Sequence, residues 1–354
     1  MTKIPTRLLI AASGTGGHLF PALAVAEQLN DYEIEWLGVP DRLEQTLVPK
    51  SYPLHTIPIE GFQTRLGFKT LQILVRQIAA VFQVQQLLKQ KKIDVVFSTG
   101  GYIAAPAILA ARLQGIPVIL HESNSIPGKV TTLLGPFCDV VAIGFQETAK
   151  YLKRSQTQWV STPVRQQFLT PQPIDISIPT KVPLIVVVGG SQGAVALNQI
   201  VRQCAIAWLA AGAYMIHLTG DKDPEANSLK HPHYISLPFY DHMAGLLQRA
   251  TLAVSRSGSG TLTELAVTKT PSILIPYPFA AEDHQFYNAK VFADAGAAYL
   301  CRQNEISPEW LENTVLELLK SPQKLEQMAT QAVSLADVNS ASRIADLIRN
   351  LVKK

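Results

Sequence analysis

Residues 184–193 read LIVVVGGSQG and residues 8–17 read LLIAASGTGG, so one pattern occurs in each half of the chain. In both stretches five apolar residues run into a glycine-rich loop, and further small apolar residues follow. A continuous apolar run of this length is typical of a buried parallel strand, and the glycines favour a tight turn into a helix. Two such units predict two doubly wound α/β domains with parallel sheets.

Other apolar runs, separated by helical patterns, support this fold class. They lie at residues 34–37, 95–97, 118–120, 140–143, 214–218, 234–237, 252–254 and 272–275. A proline-rich segment, residues 161–183, is the predicted linker. We expect a first domain at residues 1–163 and a second at 164–340. The last helix, at about 341–354, is a candidate to pack back onto the first domain.

Composition narrows the class of protein. The chain has 354 residues, 47% hydrophobic and 16% charged, enough to bury a core in each of two domains. The net charge of +4 is mild and no basic tract occurs, which argues against nucleic-acid binding. Three distant cysteines lack metal-ligand spacing and fit a reducing compartment. The apolar run at 8–12 is too short for a signal peptide, and glycine loops interrupt the long uncharged stretches, so no membrane span is expected.

The glycine loop Gly189–Gly193 indicates a phosphate site. Glycines let the backbone approach a ligand closely, and the start of the following helix offers unpaired N–H groups and partial positive charge. No Gly-Lys-Ser/Thr follows, and the G-x-G-x-x-G fingerprint is incomplete, so neither a P-loop nor a nicotinamide dehydrogenase is favoured. Alone, the loop leaves a turn without a ligand open as an alternative.

Two later motifs favour a nucleotide sugar as the ligand. Glu264 stands in the segment RSGSGTLTE at 256–264 and can accept hydrogen bonds from a ribose diol. The alternative is that it is simply an acidic residue in the first turn of a helix, where the helix dipole stabilises a negative charge. Gln285 and Asn288 lie at a predicted helix start, where their amides suit sugar hydroxyls. Asp283 is expected to cap that helix.

His18 is the candidate general base. It follows the first glycine loop, at the strand ends where α/β sheets bind ligands, and its pKa range suits proton transfer. A packed or capping histidine is the alternative. The loops at 98–102 and 121–128 follow neighbouring strands, so their polar groups predict a substrate cleft at the same edge.

The pair Asp221 and Asp223 could hold a divalent metal on a diphosphate, as Asp-x-Asp pairs do in another class of sugar transferases. It precedes Pro224 and follows Gly220, so we interpret it as a charged surface turn. Neither a metal nor a cofactor is expected in the chemistry.

In order, these motifs resemble the MurG family, the UDP-N-acetylglucosamine transferases that make the second lipid-linked precursor of peptidoglycan. The matching segments are GTGGH (14–18) with PALA (21–24), GGY (100–102), HESN (121–124), PVR (163–165), GGSQGA (189–194), RSG (256–258) with Glu264, and DHQ (283–285) with NA (288–289). Each motif is weak alone, but the ordered series is specific. The chain departs from the family's usual residues at Ser123, at Ser161-Thr162 and at Tyr240, which stands where an aliphatic residue often meets the uracil.

The resemblance implies a GT-B fold, in which two Rossmann-like domains face each other across a cleft. UDP-GlcNAc would lie mainly on the C-terminal domain, with Glu264 on its ribose. The other predicted donor-binding residues, from the motifs and the resemblance together, are Thr15, Gly16, Gly17, Asn124, Arg165, Ser191, Gln192, Gly193, Gln285 and Asn288.

The implied reaction is an inverting, in-line transfer of GlcNAc to the C4 hydroxyl of the muramoyl sugar in lipid I, giving lipid II. His18 is our candidate base, and the Ser191–Gly193 amides with Arg165 would meet the charge on the departing UDP. Other enzymes of this fold remain alternatives, namely a UDP-sugar 2-epimerase or a glycolipid synthase. A non-catalytic nucleotide-sugar scaffold is a third.

A lipid acceptor implies a peripheral protein at the cytoplasmic face of the plasma (inner) membrane, with an anionic lipid surface as a partner and cell-wall synthesis proteins left open. Residues 66–88 form the candidate membrane helix. Its predicted apolar stripe is Leu71, Leu74, Val75, Ile78, Val81 and Phe82, with Lys69, Arg76, Lys89, Lys91 and Lys92 around it. The alternative is a buried helix, because Ile73, Val84 and Leu87 point elsewhere.

Overall fold

The computed structural model describes residues 5–59, 68–189 and 194–353, except that the side chains of residues 68–74 lie outside that description. By its contacts the chain divides into two compact units, Met1–Arg165 with Asn339–Lys354, and Gln166–Val338. This division falls at the end of the PVR segment, beside the boundary expected at residue 163. The two units are therefore described separately.

The first unit is built on a seven-stranded sheet in which all neighbouring strands are parallel. Its strands are β1 (Thr6–Ala11), β2 (Tyr32–Gly38), β3 (Leu54–Thr56), β4 (Val95–Ser98), β5 (Val118–Glu122), β6 (Val140–Ile143) and β7 (Thr157–Trp159). Its helices are α1 (Gly16–Ala26), α2 (Glu44–Leu47), α3 (Phe68–Lys91), α4 (Ala104–Leu113) and α5 (Lys129–Leu134). The order β3-β2-β1-β4-β5-β6-β7 reverses between β1 and β4, where open α/β sheets bind their ligands.

Strand β1 shows why the sequence is continuously apolar here. Its side chains alternate between the two faces of the sheet, as the strand period of two requires. Leu8 and Ile10 are buried in one core, and Leu9 and Ala11 in the other. Because layers cover both faces, the four fully buried positions of the strand, Leu8 to Ala11, are all apolar, and its polar residues, Thr6 and Arg7, stand at the partly exposed start.

The second unit is built on a six-stranded parallel sheet of the same plan. Its strands are β8 (Leu184–Val188), β9 (Tyr214–Leu218), β10 (Tyr234–Leu237), β11 (Leu252–Ser255), β12 (Ser272–Leu274) and β13 (Ala298–Leu300). Its helices are α6 (Val195–Ala210), α7 (Met243–Arg249), α8 (Ser259–Val267), α9 (His284–Asp294), α10 (Pro308–Leu319) and α11 (Pro322–Ser334). The order β10-β9-β8-β11-β12-β13 reverses between β8 and β11.

The last helix, α12 (Ser340–Val352), belongs to the first unit. Ile344, Ala345 and Ile348 are fully buried in the same core as the β1 side chains. The Arg349 guanidinium also donates to the backbone oxygen of Gln28, 2.7 Å away. The chain therefore returns to its first domain at the C-terminal end.

Helix α3 has apolar residues on two faces, as the alternative interpretation of residues 66–88 required. Val84 and Leu88 are buried in the first unit, whereas Val75, Ile78 and Phe82 are 59%, 51% and 62% exposed. Leu66 and the side chains of Lys69, Leu71, Ile73 and Leu74 lie outside the described residues. Within the described part of the chain, no helix is long and apolar enough to cross a membrane.

Candidate active site

His18 is the third residue of α1 and lies at the strand-order reversal of the first sheet. Its Nδ1 is 2.7 Å from the backbone oxygen of Thr99, and the Thr99 hydroxyl donates to the backbone oxygen of His18 at 3.0 Å. A carbonyl oxygen can only accept, so Nδ1 carries the proton of the neutral ring. Nε2 then keeps its lone pair, as a general base requires.

Two glycines after β4 lie beside the His18 ring. Gly100 and Gly101 have φ values of +89° and +74°, which L side chains rarely adopt. A β-carbon at Gly101 would lie 3.6 Å from His18 Nε2, and one at Gly100 would lie 3.7 Å from its Cε1. Glycine at both positions therefore lets this loop approach the imidazole without a side chain against Nε2.

His121, at the end of β5, is a structural residue rather than a second base. It is fully buried, its Nε2 lies 3.1 Å from the backbone oxygen of Ser161, and its Nδ1 lies 3.2 Å from the Ser123 hydroxyl. Burial lowers the pKa of His121 to about 4, although the Ser161 carbonyl acts in the opposite direction. The ring is neutral near pH 7 and both nitrogens already have partners.

Asn124 belongs to a loop that closes around the buried carboxylate of Glu122. One carboxylate oxygen accepts from the Asn124 backbone N–H at 3.0 Å and from its side-chain amide at 3.2 Å. The other accepts from the Gly128 N–H at 3.0 Å and the Thr131 hydroxyl at 2.6 Å. Four hydrogen bonds to one carboxylate thus hold Asn124 at the carboxyl end of β5.

The start of α1 brings together several predicted donor-binding residues of the first unit. Thr15 is the exposed N-cap, followed by Gly16 and Gly17. The Arg165 guanidinium lies over the Phe20 ring, 4.2 Å from its centroid. A β-carbon at Gly16 would come within 2.7 Å of that ring, so glycine permits the close approach.

In the second unit, Gln285 ties together the loops that follow β11 and β12. Its Oε1 accepts from the backbone N–H of Tyr277 at 3.0 Å and of Ser257 at 3.3 Å, and the Ser257 hydroxyl donates to the Gln285 backbone oxygen. Two N–H donors identify this atom as the oxygen, and no residue in the described ranges accepts from the Nε2 hydrogens, which can therefore donate to a ligand.

The other predicted residues of the second unit lie in different surroundings. Glu264 is half-buried on α8, whose N-cap is Gly258. Asn288 is fully buried, and its amide nitrogen lies 3.4 Å from the backbone oxygen of Ser257. It therefore contacts the loop that follows β11. Ser191, Gln192 and Gly193 lie outside the described residues.

Arg256 places a buried positive charge at the end of β11. Its guanidinium donates to the backbone oxygens of Ile275 and Pro276, each at 3.0 Å, and to the side-chain oxygen of Gln303 at 2.5 Å. Burial lowers the pKa of Arg256 to about 10, with Tyr277 acting in the opposite direction, so the group remains charged at neutral pH. In the described part of the chain no carboxylate forms a salt bridge with it.

The expectation for Asp223 was wrong, and that for Asp283 holds for its position only. Asp223 is not on the surface: its carboxylate is buried, 2.7 Å from both the Arg202 guanidinium and the Asn198 amide, because α6 brings these partners to the turn. Asp283 is the N-cap residue of α9 by position, but its side chain makes no cap hydrogen bond. Its carboxylate instead pairs with Arg302 at 2.7 Å.

Among the residues described, no cluster of three His, Cys, Asp or Glu side chains could hold a metal ion.

Thr99 and Glu44 contribute to this region although the sequence indicated no role for either of them: Thr99 stood only within the loop at 98–102, and Glu44 stood in no motif. Thr99 fixes the His18 ring through its backbone carbonyl, which every residue type has. Glu44 is fully buried in a four-residue helix, and its carboxylate reaches the first glycine loop. Only the folded structure places these two residues beside the loop.

Comparison with known families agrees with this arrangement. The model of the glycosyltransferase family 28 N-terminal domain matches residues 8–143, and that of the family 28 C-terminal domain matches residues 184–348. Together they span both parallel sheets from β1 to β6 and from β8 to β13. The fold and the site thus define the class: a glycosyltransferase with the GT-B fold.

Similar proteins define the family within that class. Two relatives, from Rippkaea orientalis and Microcystis aeruginosa, are 69% and 68% identical over 98% and 100% of this chain and 99% of their own length. Both are named UDP-N-acetylglucosamine–N-acetylmuramyl-(pentapeptide) pyrophosphoryl-undecaprenol N-acetylglucosamine transferase. The crystal structure of Acinetobacter baumannii MurG superposes with a TM-score of 0.81 at 33% identity, covering 98% of this chain and 100% of that one. The chain belongs to the MurG family.

Proposed function

We propose that this chain transfers GlcNAc from UDP-GlcNAc to the C4 hydroxyl of MurNAc in undecaprenyl-pyrophosphoryl-MurNAc-pentapeptide, converting lipid I to lipid II with inversion at C1. The observation that carries the proposal is the activity in the names of relatives 68–69% identical over nearly the whole chain. The geometry of His18 supports it, because an inverting displacement needs a base for the attacking hydroxyl.

The proposed transfer uses the His18 tautomer in which Nδ1 carries the proton and Nε2 is free to accept one. The C4 hydroxyl proton passes to Nε2 while its oxygen forms the bond to C1 of GlcNAc. The bond from C1 to the diphosphate breaks at the same time, and its electron pair leaves with UDP. The hydrogen bond from Nδ1 to the Thr99 carbonyl stabilises the imidazolium that forms.

Charge on the departing UDP would be met by positive groups near both sheets. Helix α6 begins at Val195. Its N-cap residue, Ala194, has no polar side chain that could accept hydrogen bonds from the first-turn amides. These amides, with those of Ser191–Gly193, are proposed to meet the diphosphate, and Arg165 of the first unit is proposed as a separate donor-binding residue. Gln285 would donate to a sugar hydroxyl, and Glu264 would accept from the ribose.

The test is product analysis with purified protein, radiolabelled UDP-GlcNAc and lipid I. We expect a β-linked disaccharide lipid and one equivalent of UDP. Conversion of UDP-GlcNAc to its 2-epimer without acceptor would identify the epimerase alternative instead. Transfer only to other lipids would identify a glycolipid synthase, and binding without turnover would identify a scaffold. Each of these three results overturns the proposal.

The exposed face of α3 supports peripheral attachment to the cytoplasmic face of the plasma (inner) membrane. Val75, Ile78 and Phe82 are spaced three and four residues apart, so they lie on one side of the helix. Arg76 is exposed between Val75 and Ile78 on the same helix, and Leu113 of the adjoining α4 is 70% exposed. Apolar side chains with nearby cations fit an anionic lipid surface.

Liposome co-sedimentation tests this attachment. Phe82→Glu and Ile78→Glu should each weaken binding to vesicles that contain anionic lipid. Ile206→Glu is the matched control, because Ile206 is 55% exposed on α6 of the second unit. Unchanged binding of folded Phe82→Glu and Ile78→Glu proteins would show that this face does not contact the membrane.

A further inference from the structure

Glu44 is a fully buried carboxylate outside the residues that the proposed reaction uses. One of its oxygens accepts from the Ser13 hydroxyl at 2.5 Å and from the Val39 N–H at 2.7 Å. The other accepts from the Gly14 N–H at 3.2 Å. Burying a carboxylate is costly unless hydrogen bonds compensate for the lost water. The three donors around Glu44 supply such bonds to both oxygens of its carboxylate.

These three donors come from the ends of neighbouring strands. Ser13 and Gly14 follow β1, and Val39 follows β2. The space for the carboxylate depends on Gly38, where a β-carbon would lie 2.8 Å from both Cγ and Oε1 of Glu44. The absence of a side chain at Gly38 thus leaves the space that the Glu44 carboxylate fills.

We propose that Glu44 is a positioning residue of the transfer reaction. By holding Ser13 and Gly14, whose φ is +101°, it determines where the chain enters α1 and hence where His18 lies. Thr99 holds His18 from the other side. The imidazole is therefore placed by two contacts, one on each side of the glycine loop. This proposal rests on the proposed role of His18 as the base.

The test is a double-mutant cycle between Glu44→Gln and His18→Ala, with turnover measured under saturating substrates. In the wild-type background Glu44→Gln should lower kcat by roughly 10- to 100-fold, because a small misplacement of a reacting group has effects of that size. In the His18→Ala background the same change should lower kcat by less than about twofold, since coupled residues are not additive. Gly38→Ala, which displaces the carboxylate and keeps its charge, should reproduce the loss.

Two controls separate positioning from loss of fold. Glu147→Gln removes an exposed carboxyl of the same unit and should leave kcat unchanged. Hydrogen exchange should show faster exchange of the Gly14 amide in Glu44→Gln, with the rest of β1 still protected.

Two results would overturn the proposal: full turnover in folded Glu44→Gln protein, or losses that multiply with that of His18→Ala. Full turnover of His18→Ala alone would instead remove the base assignment, so the two failures are distinguishable.

Discussion

The two units share one sheet plan, yet the loops that follow β1 and β5 in the first and the loops that follow β11 and β12 in the second close around buried groups of opposite charge. In the first unit, carboxylates lie under the loops that follow β1 and β5, at Glu44 and Glu122. In the second unit, the guanidinium of Arg256 lies under the loops that follow β11 and β12. The carboxylates accept hydrogen bonds from the Gly14 and Gly128 N–H groups and so hold these loops in place, whereas a buried positive charge favours a bound anion. The difference fits the positioned base proposed on the first unit and the diphosphate proposed on the second.

Hydrogen bonding leads to the same division. The two carboxylates accept from backbone N–H groups, including those of Gly14 and Gly128. Arg256 instead donates to the backbone carbonyls of Ile275 and Pro276. In the second unit the Ile275 and Pro276 carbonyls are thus occupied by the guanidinium, and the Ser257 and Tyr277 N–H groups are occupied by Gln285. The amides proposed to meet a phosphate are therefore those at the start of α6.

Replacing His18 gives the largest expected effect and tests the first half of the comparison. His18→Ala should lower kcat by roughly 10²- to 10⁴-fold, the usual contribution of a general base, while Kd for UDP changes little. His55→Ala is the control, because His55 is a half-buried histidine of the same unit that pairs with Glu35. Steady-state kinetics and calorimetry measure both. Retained turnover would mean that another group takes the proton.

Removing the buried cation tests the second half. Arg256→Gln should raise Kd for UDP by roughly tenfold, the order of magnitude of the attraction between two unit charges ~10 Å apart at an effective dielectric of ~20. Uridine lacks the diphosphate, so its Kd should stay within about twofold. Arg256→Lys retains the charge and should recover part of the UDP affinity. Equal weakening of UDP and uridine would show that Arg256 acts on the fold of the site rather than by its charge.

The sequence predicted those parts of the fold that local patterns determine. Strands β1 and β8 are buried on both faces, so their apolar runs identify them. Three strands have no such run, namely β3, β7 and β13. Each is three residues long and lies at a sheet edge, where part of the strand is exposed to solvent.

The candidate site was less accessible to sequence reasoning. The glycine loops, His18 and Gln285 stand in motifs with a stated chemistry. The buried charges depend on partners far along the chain: Glu44 meets Gly14 thirty residues away, and Arg256 meets Gln303 forty-seven residues away. Asp223 looked like part of a surface turn for the same reason, since only the fold brings Arg202 to it.

A smaller effect is expected at Gln285, where two substitutions separate the role of the acceptor Oε1 from that of the donor Nε2. Gln285→Glu keeps an oxygen for the Tyr277 and Ser257 N–H groups but loses the Nε2 donor. It should raise KM for UDP-GlcNAc by roughly 3- to 10-fold, the value of one hydrogen bond, and leave the melting temperature nearly unchanged. Gln285→Leu also removes the acceptor, so it should lower the melting temperature. If KM responded only to Gln285→Leu, the donor role would be wrong.

The smallest effect concerns a feature that the two units share, a buried neutral histidine. Burial lowers the pKa of His121 to about 4 and that of His217 to about 3. Unfolded histidine titrates near ~6.5, so below that pH the unfolded state binds protons that the folded state does not. The free energy of unfolding should therefore fall with acid, by about 1.4 kcal/mol per pH unit for each histidine.

His217→Gln isolates this contribution in the second unit. Glutamine can still donate and accept toward Tyr234 and Asn198 but does not titrate. Between about pH 6.5 and pH 5.5 its urea-unfolding free energy should fall by about 1 kcal/mol less than that of the wild type, because the unfolded histidine is only half protonated at the start of this interval. His121→Gln should give the same difference in the first unit, because the burial of its imidazole is the cause there too. An unchanged slope in either variant would mean that its histidine is already protonated in the folded chain, and that burial does not keep it neutral.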